Sequence, residues 1–375
     1  MKVCIMGDFC PSVNIDDNSF NDITNLLSTF DYRIVNLECA LRQGEELPIA
    51  KEGPFLGCNL SQFHHLKSIK ADMITLANNH VLDYGEKGLE NIFLESQKIG
   101  IRTVGAGLDN DSKTRIAYIN DGDKKIAIIN CCEAEFSVTD EKNAGANPLD
   151  EIDIYNKIQE AKNEAYSVIV IVHGGHEYFQ LPSLRIQKIF RFFIDVGADV
   201  VVGHHPHCYS GYEQYKEGYI FYSLGNFFFD NNSSNHTIWN DGFFVELDIS
   251  FGVQKEIGYA VYPYIQCCGN NKVLLMRDTE KQAFYEQIIK LNRIIEDKKL
   301  LQKEFYKYAD KQKRHALSRI LPYSNHYLQA LFKRGFLPSF LSKKAIVSHL
   351  NAIRCEAHKD LLIYALYKKY KGEQI

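Results

Sequence analysis

One repeated arrangement constrains this chain more than any other feature: short apolar runs that each stop at an acidic, amide or imidazole side chain. Lys2–Asp8 ends at Gly7-Asp8, Arg33–Glu38 at a carboxylate, Ala71–Asn78 at Asn79-His80, Ser167–Val172 at His173, and Asp199–Val202 at Gly203-His204-His205. Bounded runs of this length, rich in Val and Ile, read as buried strands. Helical periods lie between them: Gly85–Gly100 with a glycine stop, Asp150–Ala165, and Pro182–Val196 with proline in its first turn. Strands alternating with helices predict an α/β layered domain. In such sheets ligands bind outside the carboxyl ends of the strands, so the polar strand ends predict one shared site.

Ile101–Gly107 reads as a further strand, and Arg115–Ile119 with Lys125–Cys131 flank Asn120-Asp121-Gly122-Asp123, a hairpin signal. Gly218–Phe221, Phe243–Ile249 and Ile257–Tyr264 read as antiparallel strands that complete a second sheet. From Thr279 onward helical periods dominate, with breaks at Pro322 and Pro338. The expected organisation is an α/β domain over 1–266, a boundary within 267–280, and a helical extension over 279–375.

Charge divides along the same line. The chain carries a net −4, yet from Leu301 to Ile375 15 Lys and Arg oppose 5 Asp and Glu, a net of +10 that leaves −14 on the rest. An acidic body suits cations and repels a phosphate backbone, which argues against nucleic acid. The basic extension interleaves Lys333-Arg334, Lys343-Lys344 and Lys368-Lys369-Tyr370-Lys371 with apolar stretches such as Tyr327–Phe332 and Phe336–Leu341. That pattern suits an anionic membrane surface or an acidic protein partner. The chain opens with neither the charged nor the apolar part of a secretion signal, and its ten cysteines form no CxxC pair. Reduced thiols and a cytoplasmic address, at most peripheral at the inner face of a membrane, are the expectation.

Carboxylate, amide and imidazole donors together suit Mn²⁺, Fe or Zn²⁺ better than Ca²⁺. His205-Pro206-His207 sets two imidazoles at i and i+2, which an extended backbone would send to opposite sides, each to a different metal. Two ions about 3.5–4 Å apart need a bridging carboxylate, and Glu38 is the natural candidate.

Six segments occur in order: Gly7-Asp8; Asn36-Leu37-Glu38; Ala77-Asn78-Asn79-His80 with Asp83-Tyr84-Gly85; His173-Gly174-Gly175-His176-Glu177-Tyr178; Gly203-His204-His205-Pro206-His207; and Tyr222-Ser223-Leu224-Gly225-Asn226-Phe227. Over roughly residues 1–265 the chain resembles the CapA family, linked to capsule and poly-γ-glutamate biosynthesis within the calcineurin-like metallophosphoesterase superfamily. The resemblance implies a four-layer α/β/β/α sandwich and two divalent metal ions. Asp8 and His207 would serve one metal, Asn79, His173 and His205 the other, with Glu38 bridging. His80 would contact the phosphate and protonate the leaving group, and a metal-activated hydroxide would attack a phosphoester. The alternatives are amide or ester chemistry on a cell-envelope polymer, or a capsule assembly factor with a vestigial metal site. His176 and Glu177 are expected at the pocket wall, and Asn226 beside a ligand residue or the substrate, with Asp230 a further candidate. Three positions depart from the pattern. The superfamily's Asp-x-His reads Asp8-Phe9-Cys10, with Cys10 expected to be packed, and its Gly-Asp reads Asn36-Leu37-Glu38. Gly174 stands where Trp is common, and is expected to open the pocket near His173.

Overall fold

Side-chain alternation along the first strand sets the architecture. In the computed structural model, strand Lys2–Cys10 places Val3 and Ile5 in one apolar core and Cys4 and Met6 in another, the two faces of a pleated strand. Strand Tyr32–Leu37 repeats this with Ile34 on the first side and Val35 and Leu37 on the second. The structure describes residues 1–375 apart from 13–14, 17, 45, 52, 123, 141, 230–234, 252–254, 319–324, 355–365 and 367–375.

Lys2–Cys10 pairs in parallel with Tyr32–Leu37 and Asn226–Phe229, and antiparallel with Asp241–Phe251, inside an eight-stranded sheet. A six-stranded sheet centres on Ser167–His173, parallel to both Lys124–Cys132 and Val200–His204. Val3, Ile5 and Met73 of the first sheet share a core with Ile128, Val170 and Val201 of the second. Helices Glu151–Glu164 and Leu184–Asp195 add Ile154, Ile158, Phe190 and Phe193 to that core. Helices Asn21–Leu27 and Gly85–Ile99 add Ile23, Leu27, Leu89 and Ile92 to the other. The fold is therefore α/β.

Local chemistry fixes the helix ends. The Asp150 carboxylate accepts from the Ile152 and Asp153 amides, and the Ser183 hydroxyl from that of Ile186, capping their helices. Pro182 thus lies ahead of the cap rather than inside the first turn. Gly100, at φ 77°, ends its helix in the left-handed conformation that glycine favours.

Three expectations change. Gly218–Phe221, Phe243–Ile249 and Ile257–Tyr264 do not complete one sheet: Gly218–Phe221 runs parallel to Val200–His204, whereas Asp241–Phe251 and Lys255–Gln266 form a hairpin on the first sheet. Val245 and Leu247 pair with Ile5 and Val3 and extend the same apolar face, which draws the hairpin there. The strand expected over Ala71–Asn78 shrinks to Met73–Thr75, because the Leu76 and Ala77 amides donate to Asn130 Oδ1 at 3.1 and 2.8 Å. Finally, the compact units are Met1–Lys303 and Glu304–Ile375, so the boundary expected within 267–280 falls inside the first unit. Helix Asp278–Glu296 buries Phe284, Ile288, Leu291 and Ile295 in the first core.

Within the second unit the Arg314 guanidinium lies 5.9 Å from the Phe332 ring, and helices His326–Lys333 and Lys343–Arg354 follow. Pro322 and the Lys368–Lys371 cluster lie outside the described residues. No disulfide joins the described cysteines, and no helix among the described residues is long and apolar enough to cross a membrane.

The first strand bulges at Gly7, where its register against Tyr32–Leu37 shifts between Met6 and Asp8. A Cβ on Gly7 would stand 2.0 Å from the Gly225 carbonyl oxygen, a backbone atom that cannot swing aside. Gly7→Ala is therefore expected to destabilise the protein by at least about 2 kcal/mol. Denaturant unfolding measures this, and an unchanged midpoint would contradict the close approach.

Candidate metal centre

The strand ends converge as the sequence suggested. Asp8 projects from the bulge and is wholly buried; its Oδ1 accepts from Asn36 Nδ2 at 2.7 Å and lies 3.2 Å from His204 Nδ1. Its Oδ2 accepts from the His205 amide at 3.2 Å. Glu38, one residue past Tyr32–Leu37, is also wholly buried, and neither carboxylate oxygen has a hydrogen-bond partner among the described residues.

Nitrogen and oxygen donors gather at that carboxylate. His173, the last residue of its strand, sets Nε2 3.5 Å from Glu38 Oε1, 3.1 Å from Asn79 Oδ1 and 3.1 Å from His205 Nδ1. A shell with metal–ligand bonds of about 2.1 Å has edges of about 3.0 Å if octahedral and about 3.4 Å if tetrahedral. The distances from His173 Nε2 to Glu38, Asn79 and His205 are close to that spacing, and the ligand atoms of Glu38, His173 and His205 all lie within 4.8 Å of one another, so these residues fit a divalent ion. The set Asp8, Glu38 and His207 is wider, with His207 Nε2 3.7 Å from the same Glu38 Oε1 and Nδ1 3.9 Å from Asp8 Oδ2. Cys10 stands in the apolar core with Phe9 and Leu37 and joins neither set.

Neighbouring groups fix which atoms face inward. Asn226 Nδ2 donates to the carbonyls of His207 and Trp239 at 3.3 and 3.2 Å, which leaves its Oδ1 to accept from His207 Nδ1 at 3.0 Å. His207 Nε2 then carries the lone pair on the Glu38 side. Asn79 Nδ2 donates to Glu135 Oε2 at 3.1 Å and so turns its oxygen toward His173.

The extended backbone expected at His205-Pro206-His207 is not found. His205 has φ 95° and His207 φ 54°, both left-handed, and both rings turn toward Glu38. Such conformations cost about 1–3 kcal/mol each and persist only where neighbours hold them. Here the His205 amide is tied to Asp8, and the Pro206 carbonyl accepts from the Tyr178 amide at 2.8 Å. The His207 ring packs 4.9 Å from Trp239 and 5.3 Å from Phe229.

Burial, then the neighbouring Asp8 charge, pushes the Glu38 carboxyl well above its ordinary range. Burial acts the same way on Asp8, but contact with His204 outweighs it and holds Asp8 below the usual value. Burial lowers His173 well below the ordinary imidazole value, with His205 adding to the effect, and also lowers His207. Neutral imidazoles are the form that binds metals.

His80 stands beside this centre in a group of its own. Its Nδ1 lies 2.7 Å from Oδ2 of the wholly buried Asp83, and the Lys51 ammonium pairs with Asp83 Oδ1. Glu177 is exposed, and its charge acts on both Glu38 and His207; His176 is partly buried. Asp230 lies outside the described residues. The opening expected at Gly174 is filled: a Cβ there would meet the Glu133 side chain at 2.6 Å. Glu133 accepts from the Gly175 amide at 2.7 Å and pairs with Arg185.

Sequence reasoning missed Lys51 and Glu135, which sit in loops without periodicity, and passed over His204 in favour of the His205/His207 pair. Asp83, three residues past His80, was visible as part of its segment.

The family profile described as "Bacterial capsule synthesis protein PGA_cap" matches residues 9–231. The "PGA biosynthesis protein CapA" of Bacillus subtilis (strain 168) is 32% identical over 217 residues, 57% of this chain and 57% of that protein. The "Capsule biosynthesis protein CapA" of Bacillus anthracis is 30% identical over 222 residues, 57% of this chain and 54% of that protein. The chain thus spans little more than half the length of these relatives. A solved structure of a hypothetical protein from Thermus thermophilus aligns over 70% of this chain and 99% of that one, at 14% identity and a TM-score of 0.45. The profile covers more than half of the chain and all of the centre but Asp8, so the chain belongs to the CapA family of bacterial capsule synthesis proteins.

Proposed function

We propose that this chain is a metal-dependent hydrolase that cleaves a phosphoester in the synthesis of a cell-envelope polymer. The observation that carries the reading is Glu38: a wholly buried carboxylate without a hydrogen-bond donor among the described residues, ringed by His173, His205, His207 and Asp8. An uncompensated buried charge costs several kcal/mol, and cations remove that cost. The sharing of Glu38 Oε1 by both donor sets supports two divalent ions, and the mixture of nitrogen and oxygen donors supports Mn, Fe or Zn. We read the two large sheets and their flanking helices as the four-layer α/β/β/α sandwich.

Bound there, divalent ions would supply Lewis acidity toward a phosphoryl oxygen and lower the pKa of water. Asn79, His173 and His205 would hold one ion and Asp8 and His207 the other, with the Glu38 carboxylate available to both. Asn226 and Glu135 orient His207 and Asn79. His80 Nε2 donates the proton that the leaving oxygen takes up. Glu177, exposed beside the centre, limits how closely a second anionic group approaches. The names of the relatives, for PGA and capsule biosynthesis, support a polymer-linked substrate and favour a second reading in which the same residues act on an amide or ester of that polymer. In a third, the wider Asp8 set marks a vestigial site on an assembly factor. Metal analysis with p-nitrophenyl phosphate and bis-p-nitrophenyl phosphate turnover in Mn²⁺ separates them. Turnover supports the first reading, polymer cleavage alone the second, and absence of both metal and turnover the third.

The second unit favours an anionic lipid surface as partner. Tyr327, Phe336, Phe340 and Val347 are 66–73% exposed, and Lys333, Arg334, Lys343 and Lys344 are exposed among them. Basic residues near an anionic bilayer contribute about 1 kcal/mol each, weakened by salt.

Three outcomes are expected. His205→Ala, His207→Ala and Asn79→Ala each lower the metal content of the purified protein; unchanged content in all three defeats the ligand assignment. His80→Ala keeps its metal but loses about 10²–10⁴-fold in turnover of a diester with a basic leaving group, such as diphenyl phosphate. An emptied centre with normal activity per bound metal would contradict that role. The protein pellets with vesicles containing phosphatidylglycerol at low salt, not with pure phosphatidylcholine, and a Phe336→Ser/Phe340→Ser/Lys343→Glu/Lys344→Glu variant stays in solution. Equal pelleting of both proteins would end the docking idea.

A further inference from the structure

We propose that Lys51 is a positioning residue for His80, a role that rests on the hydrolase reading above. Residues 42–56 join the short strands Ala40–Leu41 and Gly57–Cys58, and they are fastened to Asp83 on both sides of Lys51. The Ile49 amide donates to the Asp83 carbonyl at 3.0 Å, and the Leu56 amide to Asp83 Oδ2 at 2.6 Å. Between these anchors the Lys51 side chain turns inward until only 2% of it is exposed, pairs with Asp83 Oδ1, and lies 5.4 Å from the Phe55 ring. Lysine is almost never buried this far unless a partner holds it.

The arrangement acts on one atom. His80 Nδ1 lies 2.7 Å from Asp83 Oδ2 and 3.0 Å from Lys51 Nζ, whereas His80 Nε2 has no hydrogen-bond partner among the described residues. His80 Nδ1–H donates to the Asp83 carboxylate, Lys51 compensates that buried charge from the other oxygen, and the outer nitrogen is left to the substrate. In the hydrolysis, water adds its oxygen to phosphorus and releases a proton to solvent. The P–O bond to the leaving group breaks with its electron pair on the leaving oxygen. That oxygen takes the His80 Nε2 proton, and the ring is reprotonated from solvent. Lys51 touches neither the substrate nor the reacting atoms; it sets the ring that does.

The test compares Lys51→Met, Lys51→Arg, His80→Ala and the Lys51→Met/His80→Ala pair on two diesters in Mn²⁺. Bis-p-nitrophenyl phosphate releases a stable anion that needs little protonation, whereas diphenyl phosphate releases a basic phenolate that needs the acid. Lys51→Met is expected to lower kcat on diphenyl phosphate about 10–100-fold with KM nearly unchanged, and to spare the nitrophenyl substrate. Lys51→Arg restores part of the loss, metal content stays at the wild-type level, and the double variant is no slower than His80→Ala. Equal losses on both substrates, accompanied by a lower melting temperature, would make Lys51 a stabilising residue only and overturn the proposal. If the wild type cleaves neither diester, the hydrolase reading fails separately, and the positioning is read from the ¹⁵N shifts of the His80 ring in the metal-free full chain. Lys51→Met is expected to move the Nδ1 resonance; identical shifts in both proteins would refute the contact.

Discussion

A carboxylate buried without a donor is the constraint on which the rest of the centre depends. Glu38 is wholly buried, and its oxygens find no N–H or O–H donor among the described residues. Burial and the Asp8 charge both disfavour its ionised form. Packing alone would replace such a residue with an apolar one at little loss. Its position amid three imidazoles, an amide oxygen and a second carboxylate makes sense as one half of a cation-binding arrangement.

The surrounding structure is organised to hold that arrangement against its cost. Gly7 lets the first strand bulge and press against Gly225, which brings Asp8 inward beside Asn36 and His204. The left-handed backbone at His205 and His207 aims both rings at one carboxylate. Asn226 and Glu135 reach in from other segments to fix which atom of His207 and Asn79 faces inward. The bulge at Gly7 and the left-handed backbone at His205 and His207 conflict with ordinary strand and loop preference, and conflicts of this kind gather where function selects them.

The parts of this account that the sequence carried are those with a period. Alternation marked the strands through Val3–Met6 and Ile34–Leu37, and their polar termini marked the centre, because a strand end has a fixed place in an α/β sheet. The parts it did not carry depend on contacts distant along the chain. The hairpin Asp241–Gln266 chose the first sheet through Val3 and Ile5, roughly 240 residues away, which no local pattern announces. Asn130 ended a strand from the opposite sheet. Glu133 filled the space beside Gly174, and Lys51 entered from a loop whose composition gives no hint of a buried ammonium. The i and i+2 spacing of His205 and His207 was misread as extended because the strain that turns them is imposed by Asp8 and Tyr178.

Anomalous diffraction from crystals of the full chain grown with Mn²⁺ shows whether cations occupy the space around Glu38. Two anomalous peaks are expected about 3.5–4 Å apart on either side of Glu38, one near His173 and His205 and the other near Asp8 and His207. A map without a peak at Glu38, with its carboxyl group hydrogen-bonded to protein or water instead, would contradict that occupancy.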